Sequence, residues 1–168
     1  MAERPISIRS AREEDFEAVT SLLEELGRPK VLATSERNRA AHRERYRAWL
    51  AAPDYYAFVA EEDGDVVGFV DLQIVPRLNF EGPQAWVPDL IVAERSRSRG
   101  VGAALLARTE EVARQHGAFS LALESAHWRT RAHAFYVREG MKDAAREFVK
   151  VLANVDWPPS PPQRDGGR

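Results

Sequence analysis

Cysteine is missing altogether from this 168-residue sequence. Disulfide frameworks, thiolate zinc sites and cysteine nucleophiles are therefore excluded, and a reducing compartment is permitted. No stretch approaches the roughly eighteen consecutive apolar residues that a membrane-spanning helix needs. The opening Met1-Ala2-Glu3-Arg4-Pro5 also lacks the apolar run of a signal peptide. The expectation is a cytoplasmic protein with no membrane partner. Nor does one sign of charge dominate: 24 Lys and Arg stand against 26 Asp and Glu, a net charge of -2, which argues against a general binder of nucleic acid. What remains, 44% hydrophobic and 30% charged residues, is the mixture of an ordinary globular domain, long enough to bury a core without metal or disulfide support.

Along the chain, Ile6 to Arg9 alternates apolar and polar residues as a half-buried strand does, and Ser10 with Glu13 has the spacing of a helix capping box. Phe16, Val19, Leu22, Leu23 and Leu26 then make one apolar stripe, closed by Gly27 and Pro29. A second helix is expected from about Ser35 to Ala52, rich in arginine but interspersed with Glu36 and Glu44, the pattern of a solvated, charge-laced face. Three strand-like runs follow, Tyr55 to Glu61, Val66 to Val75 and Ala85 to Val92, the first two joined by an Asp63-Gly64 hairpin turn. A third helix fits Val101 to His116 with Gly117 as its cap, then a strand from Phe119 to Glu124, a fourth helix from Thr130 to Glu139, and a last strand from Glu147 to Leu152. The order is β-α-α-β-β-β-α-β-α-β. A single domain over 1–154 is expected, with 155–168, rich in proline and glycine, as a loose tail.

The most informative stretch is Asp89-Leu90-Ile91-Val92, followed by Arg97-Ser98-Arg99-Gly100-Val101-Gly102-Ala103. An apolar strand leads through a basic, glycine-containing turn into a helix. The first backbone N–H groups of a helix are unpaired and carry about half a positive charge, so a pyrophosphate can be held there without lysine. Gly100 and Gly102 let phosphate oxygens approach the main chain, and Arg95, Arg97 and Arg99 add charge. Neither common phosphate motif fits: no lysine follows the glycines as in a P-loop, and the third glycine of a dinucleotide fingerprint is missing.

Arg97-x-x-Gly100-x-Gly102 after an apolar strand resembles the acyl-CoA pyrophosphate loop of the GNAT superfamily. A second segment agrees with it: Ala132-His133-Ala134-Phe135-Tyr136-Val137-Arg138-Glu139-Gly140-Met141 resembles the family's later helix. The likeness covers roughly residues 6 to 152. Arg129 stands where many members have asparagine, and Met141 where a Phe or Tyr is usual. The resemblance implies a mixed α/β fold whose central, mostly antiparallel sheet splays at the acyl-CoA cleft and is flanked by helices. It implies acetyl-CoA as co-substrate and a cofactor site formed by Leu90, Ile91, Val92, Arg97, Ser98, Arg99, Gly100, Val101, Gly102, Ala103, Arg129 and Tyr136. A backbone N–H between Leu90 and Val92 would face the oxyanion, and the Tyr136 phenol would return a proton to the departing thiolate. From the residues alone, Tyr136 reads rather as a core aromatic paired with Phe135.

Transfer to an amine also needs a proton acceptor, because a lysine-like amine loses its proton at neutral pH only at a cost of about 4 kcal/mol. Asp89, ahead of Leu90, is the first candidate and Glu124, after the next strand, the second. His127 and His133 are the histidines nearest the cleft, whereas His42 and His116 read as surface residues. The resemblance also suggests that residues 28–50 and the loop 76–84 wall the acceptor site, with Tyr55, Phe80 and Trp86 as an apolar wall or as core. No metal is implied. The expected function is an N-acetyltransferase moving acetyl directly from acetyl-CoA to a primary amine of a small molecule or protein. A non-catalytic acyl-CoA sensor of the same fold is the alternative, and an RNA-associated protein acting through the arginine helix a third reading. Relatives often dimerise, so a homodimer is among the partners considered.

Overall fold

The computed structural model describes residues 5–155 and 157. They form two compact units that divide between Leu123 and Glu124. The first is built on a sheet of six strands: β1 (Ile6–Ser10), β2 (Tyr55–Glu62), β3 (Asp65–Val75), β4 (Gln84–Val87), β5 (Leu90–Val92) and β6 (Ser120–Leu123). Strand order is β1-β2-β3-β4-β6, with β5 also pairing β3. Every ladder is antiparallel except β4 with β6, so the architecture is the mixed α/β, mostly antiparallel one expected. Asp63 and Gly64 both take positive φ (53° and 86°) in the β2–β3 turn, as a two-residue hairpin with right-handed strand twist requires.

Strand periodicity divides the apolar residues between the two faces of this sheet. Phe58 and Ala60 on β2 and Val70, Leu72 and Ile74 on β3 share one core with Val101, Leu105, Val112 and Ala113 of helix α3 (Val101–Gln115). Ala57, Val59, Phe69 and Ile91 share the other with Val19 and Leu22 of α1 (Phe16–Glu25), with Tyr46 and Trp49 of α2 (Glu36–Leu50) packed against it. A Cβ on Gly68 would lie 2.9 Å from Leu105 Cδ1 and 3.2 Å from Val101 Cγ1, so glycine is what lets α3 sit close on β3.

Three local expectations are corrected. Ser10 does not cap a helix, because it pairs with Phe58 as the last residue of β1. A 3-10 turn over Glu13–Asp15 leads into α1 instead, and Asp15 Oδ2 accepts the Arg12 N–H at 2.8 Å. The run Ala85 to Val92 is two strands, since Pro88 has no N–H to continue a ladder. In the second unit, α4 (Thr130–Arg138) ends at Gly140 (φ 87°) as expected, but Glu147 to Leu152 forms no strand. Phe148 and Leu152 are 92% and 90% exposed; alternation alone does not make a strand, whose hydrogen bonds come only from a neighbour. The expected tail lies, apart from Val155 and Trp157, outside the described residues.

Candidate active site

On the α1 and α2 face of the first unit, the apolar packing stops short of the strand ends and leaves a cavity of about 450 Å³. Phe69 on β3 sits opposite Ile91 on β5, and two residues further along β3 the inward position is Asp71. It meets Asp89, two residues before Ile91: the Asp71 N–H donates to the Asp89 carbonyl at 3.1 Å, and the Asp89 N–H donates to Asp71 Oδ1 at 2.7 Å. Two carboxylates thus stand side by side on the cavity floor. Asp71 is buried, and loss of solvent, with the Asp89 charge next, pushes its carboxyl up to about 8. Arg28, just past α1, donates from both Nε (2.8 Å) and Nη2 (2.5 Å) to Asp89 Oδ1. The Arg28 guanidinium thus bonds Asp89 directly, while Asp71 has none of its own.

The walls come from Phe16, Tyr46, Trp49 and Phe69, with Arg28, Pro29, Val31, His42 and Arg45 around them. Residues 28–50 wall the cavity as expected, but nothing from 76–84 lines it, and the aromatic wall is not Tyr55, Phe80 and Trp86. Phe80 stacks on Phe119 (centroids 4.0 Å apart) instead. His42, read as a surface residue, lines the cavity and is half-buried. Burial, with Arg45 second, holds its imidazole below the usual range.

Beyond Asp89, Leu90 to Val92 pair with β3 alone, because the parallel β4–β6 ladder stops at Val87 and Leu123. Asp89 and Ala93 hydrogen bond toward β3. By the alternation of an antiparallel ladder, the N–H groups of Leu90 and Val92 face the opposite edge. The turn that follows holds Ser98 and Gly100 at positive φ (63° and 80°) and delivers Gly100 as the N-cap of α3 with no side-chain cap. The N–H groups of Val101, Gly102 and Ala103 are thereby left for an anion, and a Cβ on Gly100 would point into open space.

The arginines of this turn are not free charges. Arg97 Nη2 is 2.8 Å from Glu25 and its Nε donates to the Val92 carbonyl at 3.0 Å. Arg99 lies 2.5 Å from buried Glu62, and Arg95 3.7 Å from Asp65. Each of these arginines thus has a carboxylate partner that braces the turn.

Of the remaining predicted residues, Glu124, Arg129 and Tyr136 lie in the second unit. Glu124 is exposed. Arg129 stacks over the Trp128 ring at 4.5 Å, and His133 Nε2 is 3.0 Å from the Ala126 carbonyl, a packing role. Tyr136 packs edge-on against Phe135, and burial pushes its phenol up against the opposing charge of Arg129. Asp71 was missed by sequence reasoning. Its signal was an acid inside the apolar run Val66 to Val75, but only the register of β3 with β5 brings it to Asp89. Among the described residues no cluster of three or more His, Cys, Asp or Glu could hold a metal, and no helix is long and apolar enough to cross a membrane.

Comparison with known proteins agrees with this architecture. Residues 16–141 match the model of the acetyltransferase (GNAT) family. The aminoalkylphosphonate N-acetyltransferase of Salmonella typhimurium is 33% identical over 86% of this chain and 90% of its own length. An aminoglycoside N(6')-acetyltransferase of Serratia marcescens is 33% identical over 50% of this chain and 60% of its own. Among solved structures, an aminoglycoside N-acetyltransferase in complex with CoA superposes with a TM-score of 0.74 at 22% identity, over 90% of this chain and 98% of that one.

Proposed function

The chain belongs to the acetyltransferase (GNAT) family and is an N-acetyltransferase; from that premise we propose that it transfers acetyl from acetyl-CoA directly to the amine of a small molecule, with the Asp71–Asp89 pair as proton acceptor. The side-by-side carboxylates in the cavity carry this reading. Both substrates named for the relatives are small amines, which supports a small-molecule acceptor over a protein. The family match, over residues 16–141, runs through the division at Leu123 and supports reading that span as one catalytic domain. Acetyl-CoA is a cytoplasmic metabolite, and the reaction is assigned there.

The residues present suit an acyl-CoA. The uncapped amides of Val101, Gly102 and Ala103, with Ser98 and Gly100 shaping the turn, form the pyrophosphate cradle. The outward N–H groups of Leu90 and Val92 line the edge along which the pantetheine arm would lie, and one of them would polarise the thioester carbonyl. A donor of that kind aimed at a developing oxyanion is worth about 3 kcal/mol. An ammonium entering the cavity meets Asp89, bonded to Arg28, and gives its proton to Asp71, whose raised pKa makes it a better match for an amine than an ordinary carboxylate. Tyr136 is assigned as proton donor to the thiolate on its motif, and its raised pKa keeps the phenol protonated for that purpose. Without a cysteine in the chain, direct transfer is preferred to a thioester on the enzyme.

The test is thiol release from acetyl-CoA across a panel of small amines, with calorimetric CoA binding on the same sample. Turnover is expected. Tight CoA binding with no turnover would favour the sensor, and no CoA binding would overturn the assignment of the α3 turn.

A further inference from the structure

Helix α2 turns an unusual stripe toward the cavity. His42, Arg45, Tyr46 and Trp49, spaced as one helical face, all line it. The other arginines of this helix that flank the stripe are engaged: Arg39 with Glu36, Arg43 with Glu17, and Arg47 with Glu13 and Glu44. Arg45 has no hydrogen bond or ion pair to any described residue, and the carboxylates among the lining residues are Asp71 and Asp89, which pair with each other and, through Asp89, with Arg28. Arg28 cannot serve as a second free cation, because its Nε and Nη2 donate to Asp89 and Nη2 also lies 3.5 Å from the Pro88 carbonyl. His42 is kept largely neutral by burial and by Arg45, so it offers a ring nitrogen for hydrogen bonding and not a second charge. The cavity is therefore polarised, with carboxylates on the sheet and an uncompensated guanidinium on α2.

We propose that Arg45, assisted by His42, forms an oxyanion subsite, and that the acceptor is a short amine bearing a phosphonate, phosphate or carboxylate group at its far end. The inference rests on the acceptor reading above and deepens it. A guanidinium presents paired donors that match the oxygens of such groups, and a cavity of about 450 Å³ suits a small ligand. With its amine at Asp71 and Asp89 and its anion at Arg45, such a molecule satisfies both ends. A diamine of the same length would set its second ammonium against Arg45, where like charges repel.

The experiment compares kcat/KM for 2-aminoethylphosphonate, 3-aminopropanoate, n-propylamine and 1,3-diaminopropane, in wild type and in Arg45→Ala and Arg45→Lys. Wild type should favour an oxyanion-bearing amine over n-propylamine by at least tenfold, with the diamine poorest. Arg45→Ala should collapse that ratio toward one, chiefly through KM, and Arg45→Lys should restore part of it. The phosphonate and carboxylate arms tell which oxyanion the site takes. Methylphosphonate should inhibit competitively against the amine, and less so in Arg45→Ala. Preference for n-propylamine or the diamine, or a ratio that Arg45→Ala leaves intact, would overturn the subsite while leaving acetyl transfer standing. No turnover on any of the four, with CoA bound, would overturn the acceptor reading beneath it.

Discussion

Replacing Asp71 by asparagine separates the chemical role of the carboxyl from its structural one. The amide keeps an oxygen to accept the Asp89 N–H, now 2.7 Å from Asp71 Oδ1, but cannot take up a proton. Loss of a positioned base costs about two to four orders of magnitude in rate. A group titrating near 8 is about one-tenth ionised at pH 7, so the advantage of wild type over the variant should grow about tenfold from pH 7 to a plateau above 9. The substrate ammonium titrates as well, yet it affects both proteins alike and cancels in the ratio.

Stability should move the other way. Because the folded pKa lies above the unfolded one, the native state holds a proton that the unfolded chain has lost between about pH 4 and 8. The contribution of Asp71 is fully present below that window and declines through it by up to about 1.4 kcal/mol per pH unit. Arg28 and Asp89 face the same group, the first opposing and the second reinforcing the shift. The variant should lose this slope and be more stable than wild type at pH 8. Thiol release from acetyl-CoA, corrected for hydrolysis without amine, reads the rates with no signal from protein thiols, since the protein has no cysteine, and thermal melts from pH 4 to 9 read the stability. A wild-type to variant ratio that does not change with pH, or a variant less stable at pH 8, would refute the assignment.

Arg28→Ala should leave Asp89 without its partner beside a second carboxyl, costing about 1 to 3 kcal/mol at pH 7 by chemical denaturation and moving the pH–rate profile further alkaline. Gly100→Ala forces an alanine to φ 80° at about 1 to 2 kcal/mol and puts a methyl where the phosphates are proposed to lie. Its melting point should fall, and its KM for acetyl-CoA should rise more than that for the amine. Tyr136→Phe should lower kcat at least tenfold while calorimetric affinity for CoA stays within twofold; an unchanged kcat would return Tyr136 to a packing role beside Phe135.

What could be read in the sequence was what local chemistry decides. Strand alternation assigned β2 and β3, the Asp63-Gly64 pair their turn, and the glycines after helices α1, α3 and α4 their ends, because each depends on residues a few positions apart. The Arg97 to Ala103 turn and the Phe135-Tyr136 helix were legible for the same reason, and they carried the family. Strand pairing was not: Glu147 to Leu152 alternates like a strand but has no ladder, and nothing in its own residues says whether a neighbour will be there. The cavity proposed for the acceptor belongs to this second kind. Arg28 lies 61 positions from Asp89, and Asp71 looks like an acid misplaced in an apolar run until the β3–β5 register sets it beside Asp89. The raised carboxyl of Asp71 also belongs to tertiary structure: burial, with the Asp89 charge next, pushes it up, while the one guanidinium at hand bonds Asp89 instead, and both are properties of the assembled cavity.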